Sequence, residues 1–329
     1  MSAPGSRAAV EHQTAPDPKF TIVVPAPAKL NLFLHVAGRV ADGPHRGYHQ
    51  LESLMVLVDL ADRVRLTRRD DGRVQREHAI EGVSEADDLC LRAAKLLQER
   101  TGSRFGVSIA LDKRIPIGAG LGGGSSDAAS VLLGLIRLWG LEGDLDRAEL
   151  MRIGVELGAD VPFFIFGRNA HATGIGEILR AVTVPRAHVL IAAPDVGVST
   201  ATIFGAAGLE RATPPTGAMA FPEGCGRNDL EPVAIAREGG IAVAAKALDE
   251  RLASPSAGSG AAPEPIHRAG SLTSTPYPAR MTGSGSAVYR IVDATDAAAC
   301  APCTHDPRGF RVFRARFLGS HPLREFVAK

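Results

Sequence analysis

The sequence predicts an α+β protein of two domains, and three patterns carry that expectation. Strand-like and helix-like segments mix without the strict β-α-β alternation of a parallel doubly wound sheet. A second set of strands and helices starts near Val182, after a complete first set. The chain of 329 residues is long for one hydrophobic core and comfortable for two. The expected division is a tail over 1–19, a first domain over 20–181 and a second over 182–329. The tail lacks the apolar run of a signal peptide and reads as a disordered lead-in. Within the second domain, 254–278 is rich in Ser, Pro, Ala and Gly and reads as a flexible surface insertion.

Each element has a local reason. Phe20 to Val36 reads as strand, with Leu30, Leu32, Leu34 and Val36 alternating against Lys29, Asn31, Phe33 and His35. Asp88 to Arg100 is an amphipathic helix with acidic residues in its first turn and Gly102 past its end. Phe105 to Leu111 is a strand. Ser125 to Trp139 is an Ala- and Leu-rich helix, and Leu145 to Leu157 another, closed by Gly158. In the second set, HVLIAAP is a strand, Ile235 to Leu252 a helix, and Ser286 to Val292 and Gly309 to Phe317 strands.

Composition narrows the function. Hydrophobic residues make up 45%, charged residues 22%, and the net charge is +1, as in an ordinary soluble protein. That charge provides no field for a nucleic-acid backbone or an acidic membrane, and apolar runs such as Val131 to Ile136 are too short for a bilayer. The expected partner is a small molecule, with oligomeric state open. Four cysteines without a disulfide framework fit a reducing cytoplasm. Cys300 and Cys303 form a C-x-x-C without a redox or zinc context, and His45 and His49 lack the Glu of a zinc-protease helix.

The strongest signal runs from Pro116 to Ser130, PIGAGLGGGSSDAAS. A strand and the segment Asp112, Lys113, Arg114 lead into it, and a helix follows. Gly118, Gly120, Gly122, Gly123 and Gly124 allow positive φ and close approach to a ligand. With a helix starting at the serines, free N–H groups and the positive dipole end face the loop, which suits phosphate. Ser125 and Ser126 add hydroxyls that can cap the helix, hold phosphate or ligate Mg²⁺. A Walker A loop would end in Gly-Lys-Ser/Thr, and no Lys follows Gly124. Gly118-x-Gly120-x-x-Gly123 matches the dinucleotide fingerprint, but the acidic residue expected about 20 residues on would fall near Trp139, at a helix end. A ligand-free turn would not require so many glycines.

Two further residues suit phosphorylation of an alcohol. Asp160 stands between Gly158 and an apolar run, as a general base would. Lys29 lies on the polar side of an apolar strand and could stabilise an alkoxide or a moving phosphoryl group. A solvated loop aspartate and a snorkelling strand-end lysine are the plain alternatives.

Three blocks in order, PAKLNLFL over 27–34, PIGAGLGGGSSDAA over 116–129 and MTGSGSAV over 281–288, resemble the motifs of the GHMP kinase family. The spacers GYHQLESL, GADVPFF, Gly174-Ile-Gly176-Glu177 and Asn228-Asp229-Leu230-Glu231 resemble the member that acts in non-mevalonate isoprenoid synthesis. Its alcohol carries a cytidine diphosphate group. The resemblance covers about 20–320 apart from the insertion. It implies ATP and Mg²⁺ as cofactors, a first domain like ribosomal protein S5 domain 2, and a ferredoxin-like C-terminal GHMP domain. It implies Asp160 as catalytic base and Lys29 as its partner. ATP would lie on Pro116, Gly118, Gly120, Leu121, Gly122, Gly123, Gly124, Ser125 and Ser126, with Asp88 and Lys113 nearby. The substrate would meet Asn31, Val161, Thr200, Gly283, Ser284 and Gly285. Tyr48 and Phe204 would sandwich cytosine while His49 reads its edge. Ser125, Ser126 and Asp160 are the Mg²⁺ candidates. The pattern departs from the family at Pro44 to Gly47, which separate Asp42-Gly43 from Tyr48-His49, at Asp88 in place of an Asn, and at Met55 in place of an aromatic residue. Another GHMP kinase, for mevalonate, homoserine or a sugar, and a nucleotide-binding protein without turnover are the alternatives.

Overall fold

A computed structural model describes residues 20–43, 46–217, 227–253 and 278–327. The expected tail over 1–19, all of the expected insertion over 254–278 but its last residue, and Pro44 and His45 lie outside the described residues. The order is β1 (Thr21–Arg39), β2 (His49–Arg69), β3 (Val74–Arg76), α1 (Leu89–Thr101), β4 (Gly106–Asp112), α2 (Gly123–Trp139), α3 (Arg147–Leu157), α4 (Val161–Phe166), β5 (Ala170–Thr173) and β6 (Ile178–Ala181). It continues with β7 (His188–Pro194), α5 (Thr200–Phe204), α6 (Glu231–Arg237), α7 (Gly240–Ala253), β8 (Arg280–Met281), β9 (Val288–Val292), α8 (Ala294–Ala298), β10 (Cys303–Asp306) and β11 (Phe310–Arg316).

Two mixed α/β layers result. β1 and β2 pair antiparallel from Thr21↔Thr67 to Arg39↔His49. The other edge of β2 takes β4 along 63–69 and β5 along 53–55; β3 lies parallel outside β4, and β6 outside β5. Helices α1 to α4 bury their apolar sides on this sheet, where Leu57 and Leu66 meet Leu97, Leu132, Ile136 and Phe163. The second sheet has the order β10-β11-β7-β9-β8. One of its faces packs on the first sheet: Leu30, Leu32, Phe33 and Val56 share a buried cluster with Val189, Ile191, Tyr289 and Phe313. The other carries Ile203, Ile241 and Leu248 of the later helices.

Several elements differ from expectation for local reasons. Between Asn31↔Met55 and Leu34↔Ser53, β1 spends three steps against two in β2. This bulge breaks the alternation. Leu30, Leu32 and Phe33 therefore enter the cluster between the sheets, whereas Leu34 and Val36 join the cluster on the far side of the second sheet. Asp88 is the N-cap of α1 rather than part of its first turn; its carboxylate accepts from Cys90 N and Leu91 N. The expected helix from Ile235 is two helices, α6 and α7, broken at Glu238 and Gly239. The chain end also leaves the second sheet. Leu323 and Val327 pack in the α1–α4 core, and Arg147 donates to the carbonyls of Ile165, Arg324 and Val327.

Candidate active site

α2 starts at Gly123, two residues before the expected serines, with Gly122 as its N-cap at φ 71°. The free N–H groups of this 17-residue helix therefore open onto the glycine loop. Close approach explains the glycines. A Cβ on Gly120 would sit 2.5 Å from Thr282 O and 2.7 Å from Gly285 N, and one on Gly122 would press on the Phe164 ring and Lys29 Cγ. Lys29 N donates to Leu121 O at 3.0 Å, docking the loop on β1.

Lys29 is 3% exposed, yet its Nζ lies 3.6 Å from Asp160 Oδ2 and also bonds Asn31 Oδ1. Asn31 is fixed in turn: its Nδ2 donates to Ser53 Oγ at 2.7 Å, and its backbone N to Thr282 Oγ1 at 2.8 Å. Ser53 Oγ donates to Phe33 O. Asp160 stands at the entry to α4 after the Gly158 stop of α3, its side chain 38% exposed. A pair with one exposed partner adds little to stability. Its value is positional: a buried cation is aimed at a carboxylate that solvent and ligands can reach.

Two cavities meet at this pair. One, of about 710 Å³, is lined by Asn31, Tyr48, His49, Phe204 and Gly283 over Leu51, Met55 and Leu230. The other, of about 360 Å³, is lined by Asp88, Lys113, Pro116, Gly118, Gly120, Leu121, Gly122, Gly123 and Gly124, with Ile80, Leu89 and Ile117 as apolar wall. Lys29, Ser125, Asp160, Thr200 and Ser284 line both.

Four expected site residues, Ser126, Val161, Gly285 and Tyr48, are placed differently. Ser126 is fully buried and donates to Pro27 O at 2.6 Å, so its hydroxyl ties α2 to β1 and does not face either cavity. Val161 is fully buried in the α1–α4 core. Gly285 packs against the Ala119–Gly120 backbone and lines neither cavity. Phe204 stacks on His49 with ring centroids 4.8 Å apart, while Tyr48 is 60% exposed at the mouth. In this conformation His49, not Tyr48, covers Phe204. Lys113 lines the smaller cavity as expected, and is bound to Asp62 and, at 2.8 Å, to Asp127. Burial lowers the Lys113 pKa, but the two carboxylates outweigh it and the net shift is upward. Burial pushes the Asp127 pKa upward, against the pull of Lys113 and with the push of Asp62.

Sequence reasoning missed the residues that brace the site. Asn228 Nδ2 donates to the carbonyls of Met281 and Gly283, holding the turn that faces the glycine loop. Asp229 accepts from Val36 N and from the Thr213 hydroxyl. The motif around these two residues was visible; its bracing role was not. Glu52, buried on β2 three residues after His49, accepts from Thr216 N, Gly217 N and the Thr216 hydroxyl and pairs with His171 Nε2 at 2.8 Å. Burial raises its pKa, but these hydrogen bonds outweigh it and the net shift is downward. A depressed carboxyl contributes stability above its unfolded pKa that is lost as pH falls through the folded one. Glu52→Gln is therefore expected to cost roughly 1–3 kcal/mol at pH 7 and progressively less below about pH 4. Denaturant unfolding at both pH values checks this; an equal loss at both would contradict it.

A glycine loop at a helix N-terminus, facing a lysine–carboxylate pair between two cavities, suits a small-molecule kinase. Residues 88–168 match the family described as GHMP kinases N terminal domain. The 4-diphosphocytidyl-2-C-methyl-D-erythritol kinase of Thiobacillus denitrificans is 46% identical over 303 residues, 92% of this chain and 98% of that one. The Ralstonia pickettii enzyme of the same name is 47% identical over 308 residues, 92% and 96% of the two chains. A crystal structure of 4-(cytidine 5'-diphospho)-2C-methyl-D-erythritol kinase superposes with a TM-score of 0.64 at 30% identity, covering 91% of this chain and all of that one. The chain belongs to the GHMP kinases and, within them, to the family of these 4-diphosphocytidyl-2-C-methyl-D-erythritol kinases.

Proposed function

We propose that the protein transfers the γ-phosphoryl group of ATP to the 2-hydroxyl of 4-diphosphocytidyl-2-C-methyl-D-erythritol, in non-mevalonate isoprenoid precursor synthesis. The observation that carries this reading is the junction of two cavities at Lys29 and Asp160. Donor and acceptor enter from opposite sides and meet beside one cation and one carboxylate. In this reading the glycine loop and the α2 N-terminus hold the ATP phosphates. Asp160 orients and accepts the hydroxyl proton, and Lys29 stabilises the transferring group. The larger cavity takes the cytidine diphosphate, with Tyr48 closing over its base from the mouth. The two layers act as the S5 domain 2-like and C-terminal halves of a GHMP kinase, in the cytoplasm.

Among the described residues no group of three or more His, Cys, Asp or Glu could hold a metal ion. Mg²⁺ needs only one or two protein oxygens beside substrate phosphates and water. Ser125 and Asp160, which line both cavities, would supply them. The ion would offset charge on the phosphates. No helix among the described residues is long and apolar enough to cross a membrane.

The test is an ADP-release assay with ATP, Mg²⁺ and the cytidine substrate, with mevalonate and homoserine in parallel. Turnover is expected with the first alone, and CDP should compete with it. Turnover with mevalonate or homoserine but not the cytidine substrate would retain a kinase and remove the cytosine pocket. Tyr48→Ala should raise KM for the cytidine substrate about tenfold, the scale of one base–aromatic contact, with kcat nearly unchanged. A loss confined to kcat would exclude a stacking role.

A further inference from the structure

Arg211 lines neither cavity and belongs to none of the motifs described above. It lies on the segment that follows α5. Its Nη2 donates to Phe204 O at 3.0 Å and Ala206 O at 2.7 Å, and its Nη1 to Leu209 O at 3.1 Å. Its Nε donates to His49 Nε2 at 3.3 Å. Three of these bonds close the turn below Phe204; the fourth crosses to β2. The planar five-donor fork of arginine can serve all four acceptors at once, which an ammonium cannot match.

The bond to His49 has a chemical consequence. A guanidinium has no lone pair to offer, so His49 Nε2 must supply one. The ring is then neutral, with its proton on Nδ1. Among the described residues, the charged groups acting on this ring are Arg39 of β1, paired directly across from it, and Arg211 itself. Burial first, and then these two cations, push the His49 pKa below its ordinary value. The stack on Phe204 fixes the ring plane.

We propose that Arg211 is a positioning residue for the larger cavity: it ties the His49 ring to the Phe204 turn and holds the imidazole as the neutral Nδ1–H tautomer. His49 would then meet a ligand as a hydrogen-bond donor. This rests on the reading that the cavity takes a cytidine group, whose base edge carries acceptors.

The first test is ¹⁵N NMR of histidine-labelled protein, with His49 assigned by its loss in His49→Gln. The Nδ1–H pattern at pH 7, persisting below the ordinary histidine pKa, is the expected result. An Nε2–H ring, or a protonated ring at pH 7, would overturn the proposal. The second test is Arg211→Met under steady-state conditions. KM for the cytidine substrate should rise on the order of tenfold, the scale of one charge-assisted hydrogen bond, with kcat and the ATP KM within about twofold. The rise should be larger at pH 8 than at pH 6, because the freed neutral ring can move its proton to Nε2, whereas the imidazolium formed at pH 6 still donates from Nδ1. A pH-independent loss spread over kcat and both KM values would reduce Arg211 to a structural part and sink the idea. If wild-type protein ignores the cytidine substrate, the functional reading fails, while the tautomer measurement still decides the role of Arg211.

Discussion

Asp160→Asn is expected to lower kcat by about 10²–10⁴-fold, the usual loss when a positioned acid–base group is removed, with the ATP KM little changed. The substitution keeps the shape of the side chain and removes its charge and basicity. Asp160 lines both cavities, is 38% exposed, and sits 3.6 Å from the buried Lys29 ammonium. In the proposed reaction, a carboxylate placed there would meet the incoming hydroxyl and the phosphoryl group together. The glycine loop, which in this account holds ATP, is anchored elsewhere, through Lys29 N to Leu121 O and the start of α2. Nucleotide affinity should therefore survive. Phosphoryl transfer with a loose transition state asks less of a base, so a value near the lower end would indicate that orientation dominates over proton removal. A kcat within about twofold of wild type would remove Asp160 from the chemistry.

Gly285→Ala is expected to reduce kcat and ATP affinity together, each by more than about tenfold, and to lower stability by roughly 1–3 kcal/mol, as overpacking does. The reason is space alone. Gly285 does not have positive φ, so alanine fits its backbone. The added Cβ, however, would lie 2.0 Å from Gly120 N and 2.1 Å from Ala119 C. Both are backbone atoms of the glycine loop and cannot rotate away. The loop and the 282–285 turn must part, and Ala287 N to Ala119 O, which joins them, must stretch. Lys29 and Asn31 sit beneath that seam, since a Cβ on Gly283 would meet Lys29 Nζ at 3.1 Å. Gly319→Ala is the matched control, with open space around its Cβ and no positive φ. Equal behaviour of the two variants in ATP binding and thermal unfolding would show that the seam is not needed.

Much of this architecture can be read from local pattern. α2 is legible because glycines precede an Ala- and Leu-rich run, and α3 because Gly158 ends it. The 21-residue β2 is harder to read, since LESLMVLVDL does not alternate: both faces are buried where β2 lies between other elements. The β1 bulge is invisible in sequence because it depends on the partner register.

The site divides in the same way. Chemistry concentrated in one stretch, as in 116–126, announces itself, and the loop takes the close-packed form its glycines permit. Lys29 and Asp160 are each ambiguous alone, and only the fold sets them 3.6 Å apart. Ser126 misleads because a serine beside a glycine loop reads as a ligand, whereas here its hydroxyl satisfies a β1 carbonyl. Asn228, Glu52 and Arg211 act through hydrogen bonds to segments 53 to 165 residues away in sequence. No local periodicity encodes such links.

The most direct measurement is the identity of the product. After reaction of ATP with 4-diphosphocytidyl-2-C-methyl-D-erythritol labelled with ¹³C at C2, ³¹P NMR should show one new phosphomonoester per ADP. It should be coupled to that carbon, with the diphosphate bridge intact. A phosphate on another oxygen, cleavage of the diphosphate, or ADP formed without a new ester would contradict the account.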